Sequence, residues 1–323
     1  MLLVELSLPS GLARVSNEPL ALEHFWAPHV ASCGPVKMAI DKPYGGYVRP
    51  QFGSIELLPT AFRSDWPPPV SMGIAISVTD LDEAGAMRIM DGTAHRSAIA
   101  RDGIRYDIYG SSYTGRFTDH SYDNTISGLF ANNIPYADAS LSTDVSLADD
   151  TNSPRLVYVD SGDQVVIDSL SKTCACAGHL FYIDGTVAHL VDMFTDNGSR
   201  ALTEFDFFPS SYKDGVPIAT VRCGDTAVPG SSVYGQEEAV SPVFNTSDTA
   251  EIEKGLSRIK TILESPGVEL KLPITATVPK FGERLSWTDA SQGQPVDVWM
   301  RTRALTWDFD QDQLVIEGEG GIS

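Results

Sequence analysis

Alternation with a period of two recurs along most of this 323-residue chain, and it constrains the fold more than any other feature. Successive side chains of a strand point to opposite faces, so such runs mark strands with one buried face. They are Phe52–Leu58, Met72–Val78, Ile104–Tyr109, Leu156–Val159, Leu180–Ile183, Thr186–Met193, Thr203–Phe208, Ile218–Cys223, Val268–Thr275 and Val296–Trp307. Turn formers separate them: Pro43 with Gly45-Gly46, Pro67-Pro68-Pro69, Asp102-Gly103, Asp214-Gly215 and Pro266-Gly267. The start, MLLVELSLPSG, has no basic stretch and carries Glu5 inside its apolar run, so it reads as a first strand and not as a secretory signal. No repeat of about 20–50 residues is present, which argues against a solenoid or propeller.

Helical spacing breaks this pattern in few places. Around Gln164–Ala177, Val166, Ile167, Leu170 and Thr173-Cys174 recur at steps of three and four, and the run LFYIDGTVAHLVDM follows. Asp184-Gly185 suits a two-residue type I′ turn there, so the unit is expected to be a helix packed on a β-hairpin. Asp248 with Glu251 forms a capping-box pair ahead of the stripe Ile252, Leu256, Ile259 and Leu263, which Pro266-Gly267 ends. The other face of that helix carries Glu251, Glu253, Lys254, Arg258 and Lys260. A shorter helix is expected over Leu81–Met90. The polar stretch Ala137–Ser153 reads as a linker or exposed loop, and Asp225–Asn245 as a long surface arm. The fold class is therefore mainly β, of the α+β kind.

Length sets a prior of about two domains, and a chain of this size buries roughly 75% of its unfolded surface without help from disulfides or metals. Its 43 acidic against 23 basic residues give a net charge of −20, which argues against sequence-specific nucleic-acid binding. A wall of that sign suits a conduit through which DNA slides without sticking, and it equally serves plain solubility. Four cysteines make no disulfide framework, and no apolar run approaches the roughly 18 residues of a membrane span. The chain is expected to be made in a cytosol and to stay reduced there.

Several constellations were weighed for chemistry. Cys174 and Cys176 with His179, and Cys223 or Cys33 to complete a set, would be soft metal ligands. On a helix, however, residues two apart point about 200° from each other, so small buried thiols are the plainer reading. Asp308, Asp310, Asp312 and Glu319 fall at calcium-loop spacing, but Gln313 stands where the loop needs glycine and strand formers follow, so an acidic hairpin turn is expected. His95 and Asp119-His120 have no partner readable from sequence, and no nucleophile elbow, Walker loop, dinucleotide fingerprint or zinc-protease motif occurs. The triplets at Asn197 and Asn245 match the glycosylation acceptor by chance. No residue receives a catalytic, cofactor-binding or metal-binding role, and no enzyme activity is expected.

Four stretches, taken in order, resemble the baseplate-hub proteins of long-tailed bacteriophages. They are GGYVRPQFGSIELLPTAF with Trp66 and its proline run; SVTDLDEAGAMRIMDGTAHRSAIARDGIRYDIYG; VVIDSLSKTCACAGHLFYIDGTVAHLVDM; and PKFGERLSWTD with VDVWMRTRALTWDFDQDQLVIEGEG. The likeness spans most of the chain and lies in element order and phrasing. It implies two tail-tube-like β-barrels or sandwiches with a small inserted α/β element. Residues 1–150 would form the first barrel-type domain, 151–210 the helix-plus-hairpin domain, and 211–323 the second barrel-type domain with its amphipathic helix and carboxy-terminal hairpin. It also implies a homotrimeric ring at the tail tip of the virion, touching the distal tail ring, the tape measure and the central spike or fibre, with genomic DNA passing non-specifically and no membrane involved. Some relatives hold an iron–sulfur cluster through four cysteines; the spacing of Cys174, Cys176 and Cys223 does not match, and no cofactor is expected. Other readings stay open. They are a hexameric distal tail ring protein, a carbohydrate-binding module using Trp66, Trp287, Trp299 and Trp307, and a cell-wall-degrading tail-tip enzyme.

Overall fold

A computed structural model describes residues 1–21, 24–51, 53–78, 87–110, 113, 115–116, 125–155, 165–195, 198–203, 208–240, 248–274, 277–290 and 295–322. The chain begins with β1 (Leu2–Leu8), β2 (Gly11–Ser16), the short pair β3 (Leu20–Ala21) and β4 (Phe25–Trp26), and β5 (Val30–Cys33). Next come β6 (Val36–Lys42), β7 (Gly45–Gln51), β8 (Ser54–Leu57), a 3-10 turn at Pro59–Phe62, β9 (Ser71–Val78), β10 (Met87–Ile99) and β11 (Ile104–Gly110). The middle holds α1 (Ile126–Ala137), β12 (Ser142–Leu147), α2 (Val166–Cys176), β13 (His179–Asp184), β14 (Val187–Asp192), β15 (Ser199–Ala201) and β16 (Phe208–Lys213). The last part is β17 (Ile218–Cys223), β18 (Thr226–Pro229), β19 (Gln236–Ala239), α3 (Thr249–Glu264), β20 (Gly267–Pro273), β21 (Arg284–Asp289), β22 (Val296–Asp308) and β23 (Gln313–Ile322).

The fold is mainly β, with two large curled sheets and an inserted α/β element, as expected. The first sheet runs β2-β1-β9-β10-β11-β8-β5, and the second β12-β14-β13-β7-β6-β22-β23-β20-β16 with β21 and β15 beside β22. Along β20, β22 and β23 the residues Leu270, Leu272, Met300, Leu305, Trp307, Leu314 and Ile316 are buried, and Glu269, Lys271, Thr306 and Glu317 alternate with them on the other face. One contiguous apolar core joins both sheets and the helices.

The sheets are tied by a single bent ribbon. β5 pairs with β8 in the first sheet, and the same two segments continue as β6 paired with β7 in the second. They cross together at Gly34 and Gly53, where a Cβ on Gly34 would lie 3.5 Å from the Ser54 carbonyl oxygen. Two glycines side by side let the ribbon bend without a steric clash. Its far end then pairs with β22 on one side, Ala39 opposite Ala304, and with β13 on the other, Leu180 opposite Gly46.

Several local expectations need correction. Residues 81–86 of the helix expected over Leu81–Met90 lie outside the described residues, and Met87–Met90 is strand, the start of β10. Pairing with β9 along β10 overrides the weak helical pattern. The linker expected at Ala137–Ser153 contains β12, which pairs in parallel with β14 at an edge of the second sheet. The arm expected at Asp225–Asn245 is ordered through Val240: β18 and β19 flank β17 in a three-stranded sheet packed on α3. The turn expected at Asp184-Gly185 sits one residue later. Asp184 pairs with Val187, and Gly185 has a positive φ of 57°. The strand expected at Leu156–Val159, most of Thr203–Phe208, Asp119-His120, Asn197 and Asn245 lie outside the described residues.

The helix α1 was not anticipated. Thr125 caps it by accepting from the Gly128 N–H, and Ile126, Leu129, Phe130 and Ile134 form its buried stripe. Phe130 meets Phe181 of β13 edge-on at 5.2 Å between ring centres.

Candidate assembly surfaces and the ribbon-tip pocket

The inserted helix and hairpin are held by polar groups that the strand pattern does not reveal. At the tip of the ribbon, Gly45 and Gly46 have φ of 143° and 103°, values that favour glycine. A Cβ on Gly46 would stand 2.7 Å from Ser171 Oγ, so α2 approaches the ribbon backbone directly. Ser171 then uses its hydroxyl twice, accepting from the Tyr47 N–H at 2.9 Å and donating to Asp41 Oδ2 at 2.6 Å. Arg49 donates to Asp41 at 2.6 Å and pairs with Asp168 of α2, and these carboxylates hold the guanidinium above its ordinary pKa against the opposing effect of burial.

Beside this junction lies a cavity of about 400 Å³. Lys42 and Tyr44 from the ribbon, Lys172 and Cys176 from α2, and Glu238 and Ala239 from β19 contribute to its wall. Lys42 and Lys172 are exposed and make no ion pair among the described residues.

A second polar cluster is sealed in the interior. Asp192 and His179 are fully buried, and Arg258 of α3 nearly so. Arg258 pairs with Asp192, and its Nε donates to the Ala177 carbonyl at 2.7 Å. Asp192 also accepts from the Phe194 N–H at 2.8 Å. The Arg258 guanidinium lies 4.2 Å from the centre of the Phe194 ring. His179 Nδ1 lies 3.1 Å from the Ala177 carbonyl, while Ser153 Oγ and Asp192 Oδ2 approach its Nε2 at 3.5 and 4.0 Å. Serine and aspartate thus share one ring nitrogen. A catalytic relay needs them on opposite nitrogens and an open face toward substrate, and this cluster has neither. Burial pushes the His179 pKa down despite Asp192 nearby. The cluster is a structural staple joining α3, the hairpin and the loop at Ser153.

The other sequence candidates separate in space. Glu319, the supposed twelfth calcium position, is buried on β23, where it pairs with Arg303 and lies 3.4 Å from Arg301. Asp308 instead accepts from the Asp310 and Gln311 N–H groups, forming the hairpin turn with Asp312 at φ 55°. Cys174 and Cys176 are buried on α2, and Cys33 and Cys223 are buried as well. Burial pushes the Cys33 and Cys176 thiols up to about 12. Among the described residues no three His, Cys, Asp or Glu side chains gather as a metal site would require. His95 is exposed and packs edge-on against Tyr109 at 5.3 Å. Of the four tryptophans considered as sugar platforms, Trp287 and Trp307 are core and Trp299 is covered by Arg284 at 4.8 Å, which leaves Trp66. No helix among the described residues is long and apolar enough to cross a membrane.

The remaining surfaces include open sheet edges. β2 and β5 end the first sheet, and β12, β16 and β15 end the branched second sheet. An edge strand presents unpaired N–H and C=O groups, a template for a neighbour. β2 is partly covered, where the Ser16 N–H donates to the Ala27 carbonyl at 2.8 Å. One loop stands out further. Val233 and Tyr234 are 88% and 96% exposed at the apex of the turn between β18 and β19. No signal marked them, because they sit in a Gly- and Ser-rich stretch that reads as irregular.

No family model matches the chain, and no curated protein does. Solved structures match over its whole length. The 43 kDa tail protein of prophage MuSo2 from Shewanella oneidensis aligns over 98% of this chain and 97% of its own, with a TM-score of 0.57 and 10% identity. A tail protein from Neisseria meningitidis MC58 aligns over 98% and 96%, with a TM-score of 0.58 and 9% identity. The prophage tail protein gp18 from Listeria monocytogenes EGD-e aligns over 98% and 94%, with a TM-score of 0.50 and 10% identity. At these identities the likeness is one of fold, and the chain has the fold of phage tail proteins from end to end.

Proposed function

We propose that the chain is a structural protein of a long-tailed phage virion, a ring-forming hub at the tail tip that joins the tail tube to a central spike or fibre. The observation that carries this reading is the likeness in fold to phage tail proteins over 98% of the chain. Its polar clusters support it, since Ser171, Arg49, Arg258 and Glu319 are all engaged in tying elements together. So does the net charge of −20, which suits a wall along which DNA passes without binding.

In this reading the protein assembles with copies of itself, as a homotrimer, and contacts the distal tail ring and the tape measure. It catalyses nothing, and it is made in the host cytoplasm before joining the tail. The three segments 1–150, 151–210 and 211–323 act as its units, with β6, β7 and β12 lent across to the second sheet. Subunits meet through the open edges of the curled sheets.

The test is the mass of the purified protein by light scattering over a concentration series. A trimer, or a trimer in equilibrium with monomer, is expected. A hexamer would favour the distal tail ring instead, and a strict monomer at every concentration would sink both. Trp66, 61% exposed, is the one feature favouring the carbohydrate-binding alternative, and a glycan array tests it.

A further inference from the structure

Exposed apolar side chains usually sit singly on mobile or incidental surface, but the Val233-Tyr234 pair is held rigidly. The backbone on both sides of it is tied to β17 and its approach. The Gly230 N–H donates to Ala219 O at 2.8 Å, Ser232 N–H to Ile218 O at 3.0 Å, and Gln236 N–H to Pro217 O at 2.7 Å. The turn itself is closed by Gly235 N–H to Ser232 O at 3.1 Å, and Ser231 N–H reaches Glu264 Oε1 of α3 at 2.6 Å. Gly230 and Gly235 lie so close to β17 that a Cβ on either would stand 1.9 and 2.4 Å from a carbonyl oxygen. A loop fixed this firmly presents its apex at little further cost in conformational entropy, which is what a binding anchor needs.

The same small sheet borders a cavity at its other end. β19 leaves the knob at Gln236 and reaches the ribbon-tip cavity at Glu238, Ala239 and Val240. Most of β19 separates the two features, and Tyr234, 96% exposed, does not fill the cavity of its own chain. The cavity, about 400 Å³, has the volume of a small ligand site and readily takes a tyrosine side chain. Its rim holds Lys42 and Lys172, cations that make no ion pair among the described residues and can stack on an aromatic face, with Glu238 to accept from a phenol.

We infer that Val233-Tyr234 of one copy seats in the ribbon-tip cavity of the next, making a head-to-tail contact. This deepens the ring reading and rests on it. A knob and a socket at different places on one subunit give a heterologous interface, and such interfaces generate closed rings when the rotation closes. The tyrosine supplies the central anchor, and the sheet edges around it supply the area.

The experiment compares the wild-type chain with Tyr234→Ala, Ala239→Trp and Lys172→Glu by analytical ultracentrifugation, with circular dichroism to establish that each variant is folded. All three substitutions are at exposed positions. The wild type is expected to associate, and each variant to weaken association about 30-fold or more, as loss of a central anchor does. An equimolar mixture of Tyr234→Ala and Ala239→Trp retains one intact socket and one intact knob, so it is expected to stop at one-to-one pairs. A wild-type multimer that Tyr234→Ala leaves unchanged would overturn the knob and spare the ring. A wild type that stays monomeric at every concentration would overturn the ring and this contact together.

Discussion

Replacing Arg258 by methionine keeps an unbranched apolar stem and removes the guanidinium and its charge. The Arg258–Asp192 pair is almost wholly shielded from water, with 8% and 0% side-chain exposure, so screening by solvent offers no relief. Without the guanidinium, Asp192 becomes a buried charge with its cation gone, although its bonds to the Phe194 N–H and Thr195 hydroxyl remain. The Ala177 and Asn152 carbonyls each lose a donor. Breaking a buried pair from one side costs about 3–5 kcal/mol, a large share of the roughly 5–15 kcal/mol that holds a domain folded. Guanidinium denaturation should show the midpoint falling with the slope unchanged, because the surface exposed on unfolding is nearly the same. The double variant Arg258→Met with Asp192→Asn should recover part of the loss, since the stranded charge is then gone. A single variant within about 1 kcal/mol of wild type would refute the argument that this pair staples α3 to the hairpin.

Other outcomes follow from the same geometry. Gly46→Ala should lose about 2–5 kcal/mol, from a strained φ and the 2.7 Å approach to Ser171 Oγ, whereas Gly185→Ala, with open space around it, should lose about 1; denaturation midpoints compare them. His179 has a folded pKa depressed below its unfolded value of about 6.5, so the unfolded chain binds the extra proton first. Stability is therefore full above about pH 6.5 and falls as the pH drops below it, by at most about 1.4 kcal/mol per pH unit from this group; His179→Gln should flatten that part of the profile. Trp307→Ala should cost about 3–5 kcal/mol and Trp66→Ala well under 1, because the first is core and the second exposed. Equal losses would contradict the assignment of Trp66 to the surface.

Strand content was legible in many stretches where one face is buried and the other wet, although β21, with the same alternation, was missed. Ile218–Cys223 and Val296–Trp307 became β17 and most of β22 because alternation reports that asymmetry directly. The cap at Asp248 was legible too, for its carboxylate accepts from the Ala250 N–H as a capping residue should. Its box partner was half right, since Glu251 bonds instead to the Arg155 N–H at 2.6 Å. α1 stayed hidden although Thr125 and the spacing of Ile126, Leu129, Phe130 and Ile134 are present, for Asn132-Asn133 and Pro135 are poor helix formers. Arg258 looked like one more charge on a wet helix face. Only the arrival of Asp192 and Ala177 from the hairpin makes it interior. The ribbon-tip cavity draws on three segments far apart in sequence, and no local pattern can announce such a meeting.

The bent ribbon also sets an order of events during synthesis. β6 finds its neighbour β22 only when the chain has been made almost to its last described strand, since Ala39 pairs with Ala304. Until then one side of β6 is a bare template in a growing chain. The first sheet, whose strands all lie before residue 111, can close early, while the second waits for the carboxy-terminal hairpin to emerge from the ribosome. Pairings of such long sequence separation form slowly, and the waiting edge is where aggregation competes with folding. The hinge that joins the two sheets thus makes the second one hostage to strands made long after β6.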